Sequence, residues 1–348
     1  MAVFILCIEM TDEENYHIIL SGNSLEGKKV TRMTNKQMRE INIEENMRKT
    51  VVVWLGAMLC CLLWGSAFPC IKIGYKLWSI ESTDTASQIL FAGMRFVLAG
   101  VLAIIIGSML DGKMIKPRKS AIGKIIWLSL LQTVLQYFFF YVGLAHTSGV
   151  KASVIEAVNV FVAILVSGYI FHQEKIRAGK LIGCVIGFAG VVLINLNGMD
   201  FKLSIFGEGA IFLSTVAYAY SSVFLKKYSQ DDNPVMLSGY QFVFGGAILC
   251  VMGLAMGGNI HNISFAAVGM LIYLALVSTV AYSLWGILLK YNPISSVAVF
   301  GFMNPVFGVI LSALLLDEKK QAFGITGIIS LALVCVGIYV VNKVDDKS

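Results

Sequence analysis

Two ionisable groups stand where this sequence is otherwise apolar: Arg95, within "ILFAGMRFVLAGVLAIII" (89–106), and Glu156, within "GVKASVIEAVNVFVAILVSGYI" (149–170). In such surroundings a guanidinium and a carboxyl do the chemistry of charge: they hold a ligand of opposite sign, relay a proton, or neutralise one another. Counted from Gln88 and from Gly149, each is the eighth residue of its run. At 1.5 Å per helical residue, both lie about 12 Å from one end, too deep for easy snorkelling. In lipid an Arg at such depth costs on the order of 2.5–3.5 kcal/mol, and an acid a similar amount, so an Arg95–Glu156 pair on a cavity wall is expected. The competing use of Arg95 is a clamp on the backbone carbonyls of a broken helix.

Other polar residues fall on coherent helical faces. Ala152, Glu156, Asn159, Ala163 and Ser167 make one stripe, which suits either close packing or a watered cavity. Gln132 and Gln136 share a face, with Tyr137 and Tyr141 beside it, and Ser278, Tyr282 and Trp285 share another. With Gln241 and Asn304 they complete an expected cavity set of Arg95, Glu156, Asn159, Gln132, Gln136, Tyr141, Gln241, Tyr282, Trp285 and Asn304. Apolar walls with sparse amides and one charge pair would take a mid-sized polar or amphipathic organic solute. Each aromatic taken singly reads as ordinary packing.

Pro69 in "GSAFP" and Pro305 in "GFMNP" each remove the helical hydrogen bond to a carbonyl four residues back, on Gly65 and Gly301. Gly65, Pro69, Gly301 and Pro305 are therefore expected hinges, the alternative being plain bends that improve packing.

Several chemistries are disfavoured. The seven cysteines include no CxxC pair and no His at ligand spacing, so no metal site is expected. "GNSLEGKK" (22–29) nearly matches a phosphate loop, but Lys29 replaces the Ser/Thr that would hold magnesium, and no cofactor is expected. Intramembrane hydrolysis needs paired acids, HExxH or Ser-His at depth, and Glu156 is the one carboxylate well inside an apolar run. An enzyme is thus the weaker class.

The elements that position these residues follow from composition. The chain has 348 residues, 57% hydrophobic and 14% charged, with a mean hydropathy of +0.78, which marks an integral membrane protein. Its net charge of +6 lies in short clusters between apolar runs, so no nucleic-acid partner is expected; membrane lipid and a small metabolite are. Ten apolar runs, at 51–71, 88–110, 122–144, 149–171, 179–196, 206–225, 235–257, 266–289, 294–316 and 322–341, each approach the ~20 residues that cross a bilayer as a helix. With the N-terminus inside, inner loops hold eleven Lys and Arg and outer loops six, which favours both termini in the cytoplasm. Residues 1–48 have no signal-peptide pattern and read as a disordered cytoplasmic tail or an upstream start codon.

The chain also repeats itself. "GMRFVLAG" (93–100) aligns with "GYQFVFGG" (239–246), placing Gln241 opposite Arg95, and "HQEKIRAGKLIG" (172–183) aligns with "LDEKKQAFGITG" (316–327). Two units of five spans follow, at 49–196 and 197–348. An odd number of crossings inverts the second unit, the arrangement that builds secondary transporters with a midplane site. The expected fold is all-α, with ten transmembrane helices in two inverted five-helix repeats. Gly179, Gly183 and Gly187 form a smooth face that packs within the chain or supports a homodimer. Glu174 and Glu318 read as structural, capping the helix that follows each and pairing locally.

"LLWGSAFPCIKIG", "MRFVLAG", "YVGLAHTSGVKASVIEAVNVFVAILVSGYIFHQEKI", "GFAGVVLINL" and "NPVFGVILSALLLDEK" together resemble the EamA-type members of the drug/metabolite transporter superfamily, over residues 51 to about 343. The resemblance implies a ten-helix carrier with a central cavity between its halves, moving metabolites, often amino acids or related compounds, across a prokaryotic inner membrane and frequently outward. Many members carry a Pro midway along the fourth helix, where this sequence has Phe161, and a small residue where it has Glu156. Within transport, proton-coupled exchange, facilitated diffusion and import remain the alternatives.

Overall fold

The computed structural model describes residues 17–21, 29–33, 35–144, 146–147, 149–195, 204–261, 263–315 and 325–345. They belong to two compact units, Met1–Gly56 and Ala57–Ser348. In the first, β1 (His17–Ser21) pairs antiparallel with β2 (Lys29–Met33), His17 opposite Met33 and Ser21 opposite Lys29. Helix α1 (Asn35–Arg48) follows, with an exposed Arg48–Glu44 pair of 2.7 Å one turn apart. "HIILS" and "KVTRM" contain β-branched residues, which suit the pairing of two short strands. The phosphate-loop near-match lies outside the described residues except for Lys29.

Helix α2 (Thr50–Leu77) leads into the second unit, and α3 (Thr85–Asp111), α4 (Lys119–Leu144), α5 (149–170), α6 (Ala178–Asn195), α7 (Ile205–Ser229), α8 (Pro234–Ala255), α9 (Phe265–Tyr291), α10 (294–315) and α11 (Ile325–Asp345) follow. Among the described residues eight helices are long and apolar enough to cross a membrane, and α5 and α6 contribute shorter apolar stretches, Val154–Ile170 and Ala178–Leu193. Leu, Val and Ile side chains such as Ile105, Val185, Val251 and Leu254 face outward and exposed, as lipid-facing residues do.

Local chemistry sets the ends. Asp84 accepts from the Ser87 amide to start α3, and Gly112, at φ 67°, closes it by donating to the Met109 carbonyl. Asn233 caps α8 ahead of Pro234, and Ser264 caps α9. One boundary differs from expectation. The first apolar run, 51–71, falls short of its helix: Pro69 lies inside α2, which continues to Leu77, because Pro has a helical φ and breaks only one backbone bond.

Two glycine seams hold the bundle together. A Cβ on Gly93 would sit 2.9 Å from the Gly246 carbonyl oxygen, one on Gly100 2.5 Å from that of Gly239, and one on Gly246 2.6 Å from the Val97 amide. Helices α3 and α8 thus cross backbone to backbone and antiparallel. A second seam joins α6 and α11: a Cβ on Gly183 would meet the Gly337 oxygen at 2.9 Å, and one on Gly190 the Ser330 oxygen at 2.7 Å. The glycine face of α6 is used within the chain, with Gly179 against Val344 and Gly187 against Phe302.

Hydrogen bonds gather the loops into two ends. At the end rich in Lys and Arg, Asp232 binds Arg118 (2.8 Å) and Lys124 (2.7 Å), Lys226 donates to the Leu289 carbonyl (2.9 Å), and Lys180 donates to Ser295 (2.8 Å). At the opposite end the Asn259 amide donates to Ser87 (2.9 Å) and Thr147 to Glu208 (2.6 Å). Burial alone would raise the Asp232 carboxyl, but hydrogen bonds from Lys124 and Arg118 outweigh it and hold the group below its usual value.

Replacing Gly100 by Leu should lower the melting temperature in detergent by several degrees, because overpacking costs about 1–3 kcal/mol or more. Gly123→Leu, where nothing lies within 4 Å, should leave it unchanged. A depressed carboxylate stabilises above its unfolded pKa of about 3.9 and loses that contribution as pH falls through the folded value. The gap in melting temperature between the unsubstituted protein and Asp232→Asn should therefore be full at pH 6 and close below about pH 4.

Candidate functional site

The bundle encloses a cavity of about 670 Å³ whose wall takes residues from α2, α3, α4, α5, α7, α9 and α10. It reaches the end that carries Ser82 and Thr147, and its lining includes none of the residues that tie the basic end together. Helix irregularities aim its side chains. Helix α4 passes through a π-helical turn, Ser129–Leu135, α5 is interrupted at Val158 between Ala157 and Asn159, and α10, after a first α-helical turn at Ile294–Ala298, tightens into a 3-10 turn, Val299–Phe302, just ahead of Pro305. Such wide and tight turns recur at functional sites because they rotate the next face of the helix.

Of the expected residues, Arg95, Glu156, Asn159, Gln136, Tyr141, Tyr282 and Asn304 line the cavity, as do the hinge residues Gly301 and Pro305. Gln132 and Gln241 do not. Gln241 donates to Gln132 (3.0 Å) and accepts from Thr133 (2.7 Å), all fully buried between α4 and α8. The π-turn explains the difference, since residues four apart no longer share a face across it, so Gln136 reaches the cavity while Gln132 turns to α8. Trp285 stands one layer back, its ring 5.0 Å from that of Trp64, which does line the wall. Gly65 and Pro69 lie outside the lining; a Cβ on Gly65 would fall 2.5 Å from that of Phe307, so this glycine permits the close approach of α2 and α10.

Arg95 is 3% exposed, with its guanidinium 4.4 Å from the Phe96 ring centre and 5.5 Å from that of Tyr137. The hydroxyls of Tyr137 and Tyr282 are 2.9 Å apart beside it. The expected pair is corrected here: among the described residues no ion pair or hydrogen bond joins Arg95 to Glu156 or to any other carboxylate, and the Arg95 Nε has no partner within the protein. The two stand on different helices, α3 and α5, and both line the cavity. Aromatic faces take up part of the charge, as cation–π contacts do. Trp64 Nε1, Gln136 Oε1 and Asn304 Oδ1 are likewise buried without a partner, so several unsatisfied donors and acceptors converge on one space.

Sequence reasoning passed over Trp64, Tyr75 and Tyr218, which complete the aromatic wall. Nothing in spacing alone separates them from packing residues. Glu174 also departs from its expected role: it accepts from the Ser295 amide at the start of α10 (3.2 Å) rather than capping α6, although its pairing with Lys180 (3.0 Å) is local. Glu318 lies outside the described residues.

A profile of the EamA-like transporter family matches residues 52–196 and again 205–343. A protein of Archaeoglobus fulgidus named an uncharacterized transporter is 32% identical over 293 residues, covering 81% of this chain and 94% of its own. A probable amino-acid metabolite efflux pump of Escherichia coli (strain K12) is 25% identical over 302 residues, covering 82% of this chain and 92% of its own. A solved structure superposes with a TM-score of 0.67 at 16% identity over 85% of this chain and 98% of that one, a likeness of fold. With a transporter profile matched in two successive halves, and multiple apolar helices around one polar cavity, the chain belongs to the EamA-like transporter family.

Proposed function

We propose that this protein is a secondary transporter that moves a small amphoteric metabolite, an amino acid or a close relative, outward across the cytoplasmic membrane by alternating access. One observation carries the reading: the cavity presents a buried guanidinium and, apart from it, a carboxyl group, with no ion pair between them. A solute bearing both an acidic and a basic group answers each wall group with its opposite, and its aromatic or aliphatic remainder meets Trp64, Tyr137 and Tyr282. The name of the E. coli relative supports both the substrate class and the outward direction.

Alternating access follows from ten helices in two inverted five-helix repeats, 49–196 and 197–348, with both termini in the cytoplasm. The glycine seam supports that symmetry. In the sequence alignment Gly93 corresponds to Gly239 and Gly100 to Gly246. In contact, Gly93 meets Gly246 and Gly100 meets Gly239, the reciprocal pattern of a twofold axis. The excess of Lys and Arg at one end of the bundle supports the orientation. The cavity then faces outward and is closed toward the cytoplasm.

Cysteines introduced at Lys113 and Pro293 should react with an impermeant maleimide from the same side of the membrane; labelling from opposite sides would remove the inverted repeat. Arg95→Leu separates a ligand anchor from a clamp. As an anchor, its loss should reduce solute affinity at least tenfold, about 1.4 kcal/mol, and abolish ligand-induced thermal stabilisation. The empty protein should melt no lower, because an uncompensated buried charge has been removed. A large fall in melting temperature with flux in liposomes unchanged would identify a clamp. Intact flux in both Arg95→Ala and Glu156→Gln would end the amphoteric-solute reading.

A further inference from the structure

The cavity stops short of the basic end, and the group that closes this end is unlike the rest of the bundle. The Glu174 side chain, 6% exposed, pairs with Lys180, 4% exposed, at 3.0 Å. The same carboxylate accepts from the hydroxyl of Ser167 on α5, from the hydroxyl of Ser295, and from the Ser295 amide at 3.2 and 3.3 Å to its two oxygens. Lys180 donates in turn to the Ser295 hydroxyl at 2.8 Å. Glu174, Lys180 and Ser167 all belong to residues 149–195, whereas Ser295 opens α10. From there α10 runs through its 3-10 turn to Gly301 and Pro305 on the cavity floor.

We propose that this cluster is the inner latch of the transport cycle, an inference that rests on the carrier reading: release of Ser295 from Glu174 and Lys180 frees the first turns of α10 and opens the cavity toward the basic end. The division of contacts makes the latch reversible. The charged pair lies wholly on one side of the break, so opening never strands Glu174 without Lys180. Among the contacts that separate are the hydrogen bonds to Ser295, whose amide and hydroxyl take water once exposed. A buried charge pair split between moving parts would leave two uncompensated ions, a far larger obstacle. Closely spaced supports back the moving segment: Phe302 lies against Gly187, and the Cys61 thiol donates to the Phe300 carbonyl at 3.1 Å, so α10 has a defined closed seat.

The test uses the full chain in nanodiscs with native cysteines replaced and spin labels at Lys175→Cys and at Pro293→Cys, the exposed cap of α10, read as distance distributions. The unsubstituted latch should give one narrow short distance. Ser295→Ala, which keeps the Glu174–Lys180 pair, and Glu174→Gln should each add a population several ångströms longer, whereas Lys180→Arg, which keeps the cation, should retain the short one. Melting temperatures within a few degrees of the parent would mark the change as gating rather than unfolding. Ser295→Ala covers the case in which Glu174→Gln fails to fold. Unchanged distances in both variants overturn the latch. The carrier reading fails separately, through absence of solute flux by the unsubstituted protein, since the distances require no substrate.

Discussion

A guanidinium held at membrane depth without a protein carboxylate is the constraint around which the rest is arranged. Arg95 is 3% exposed and makes its close contacts with the faces of Phe96 and Tyr137. Such a group persists only where water or a ligand reaches it, and the cavity provides that access. The aromatic wall, the unsatisfied Trp64, Gln136 and Asn304 atoms, and Glu156 on α5 share this space and make it part polar and part apolar.

A cavity at the centre of a helical bundle must be carried by contacts elsewhere, because lipid supplies no hydrophobic drive between helices. The two glycine seams, α3 on α8 and α6 on α11, supply them: backbone meets backbone, and van der Waals contact and polar groups replace large side chains. Gln132, Thr133 and Gln241 add a buried hydrogen-bonded chain beside the first seam. Helices α2, α5 and α10, which take no part in these seams, carry the prolines and the interruptions at Val158 and Val299–Phe302.

The broad architecture was legible in the sequence. Apolar runs of bilayer length, loops sorted by charge, and aligned blocks around Gly93 and Gly239 pointed to a membrane carrier, and helices overlap every run. The candidate site was half legible. Arg95, Glu156, Asn159 and Asn304 stood out because polar groups are costly in lipid and therefore rare there. Trp64, Tyr75 and Tyr218 did not, because an aromatic costs nothing in lipid and carries no signal of which way it faces.

By itself the sequence determined which segments are apolar enough to lie in a membrane and which residues are too polar to face lipid, since both follow from the transfer energy of single side chains. Only the tertiary structure decided how those residues meet. It parted Arg95 from Glu156, turned Gln132 away from the cavity through a π-helical turn, gave the α6 glycines to α11, and brought Glu174 to Ser295 across 121 positions. Those outcomes depend on helix rotation and crossing, which a one-dimensional period leaves open, because a single inserted turn or a close glycine contact redirects every side chain beyond it.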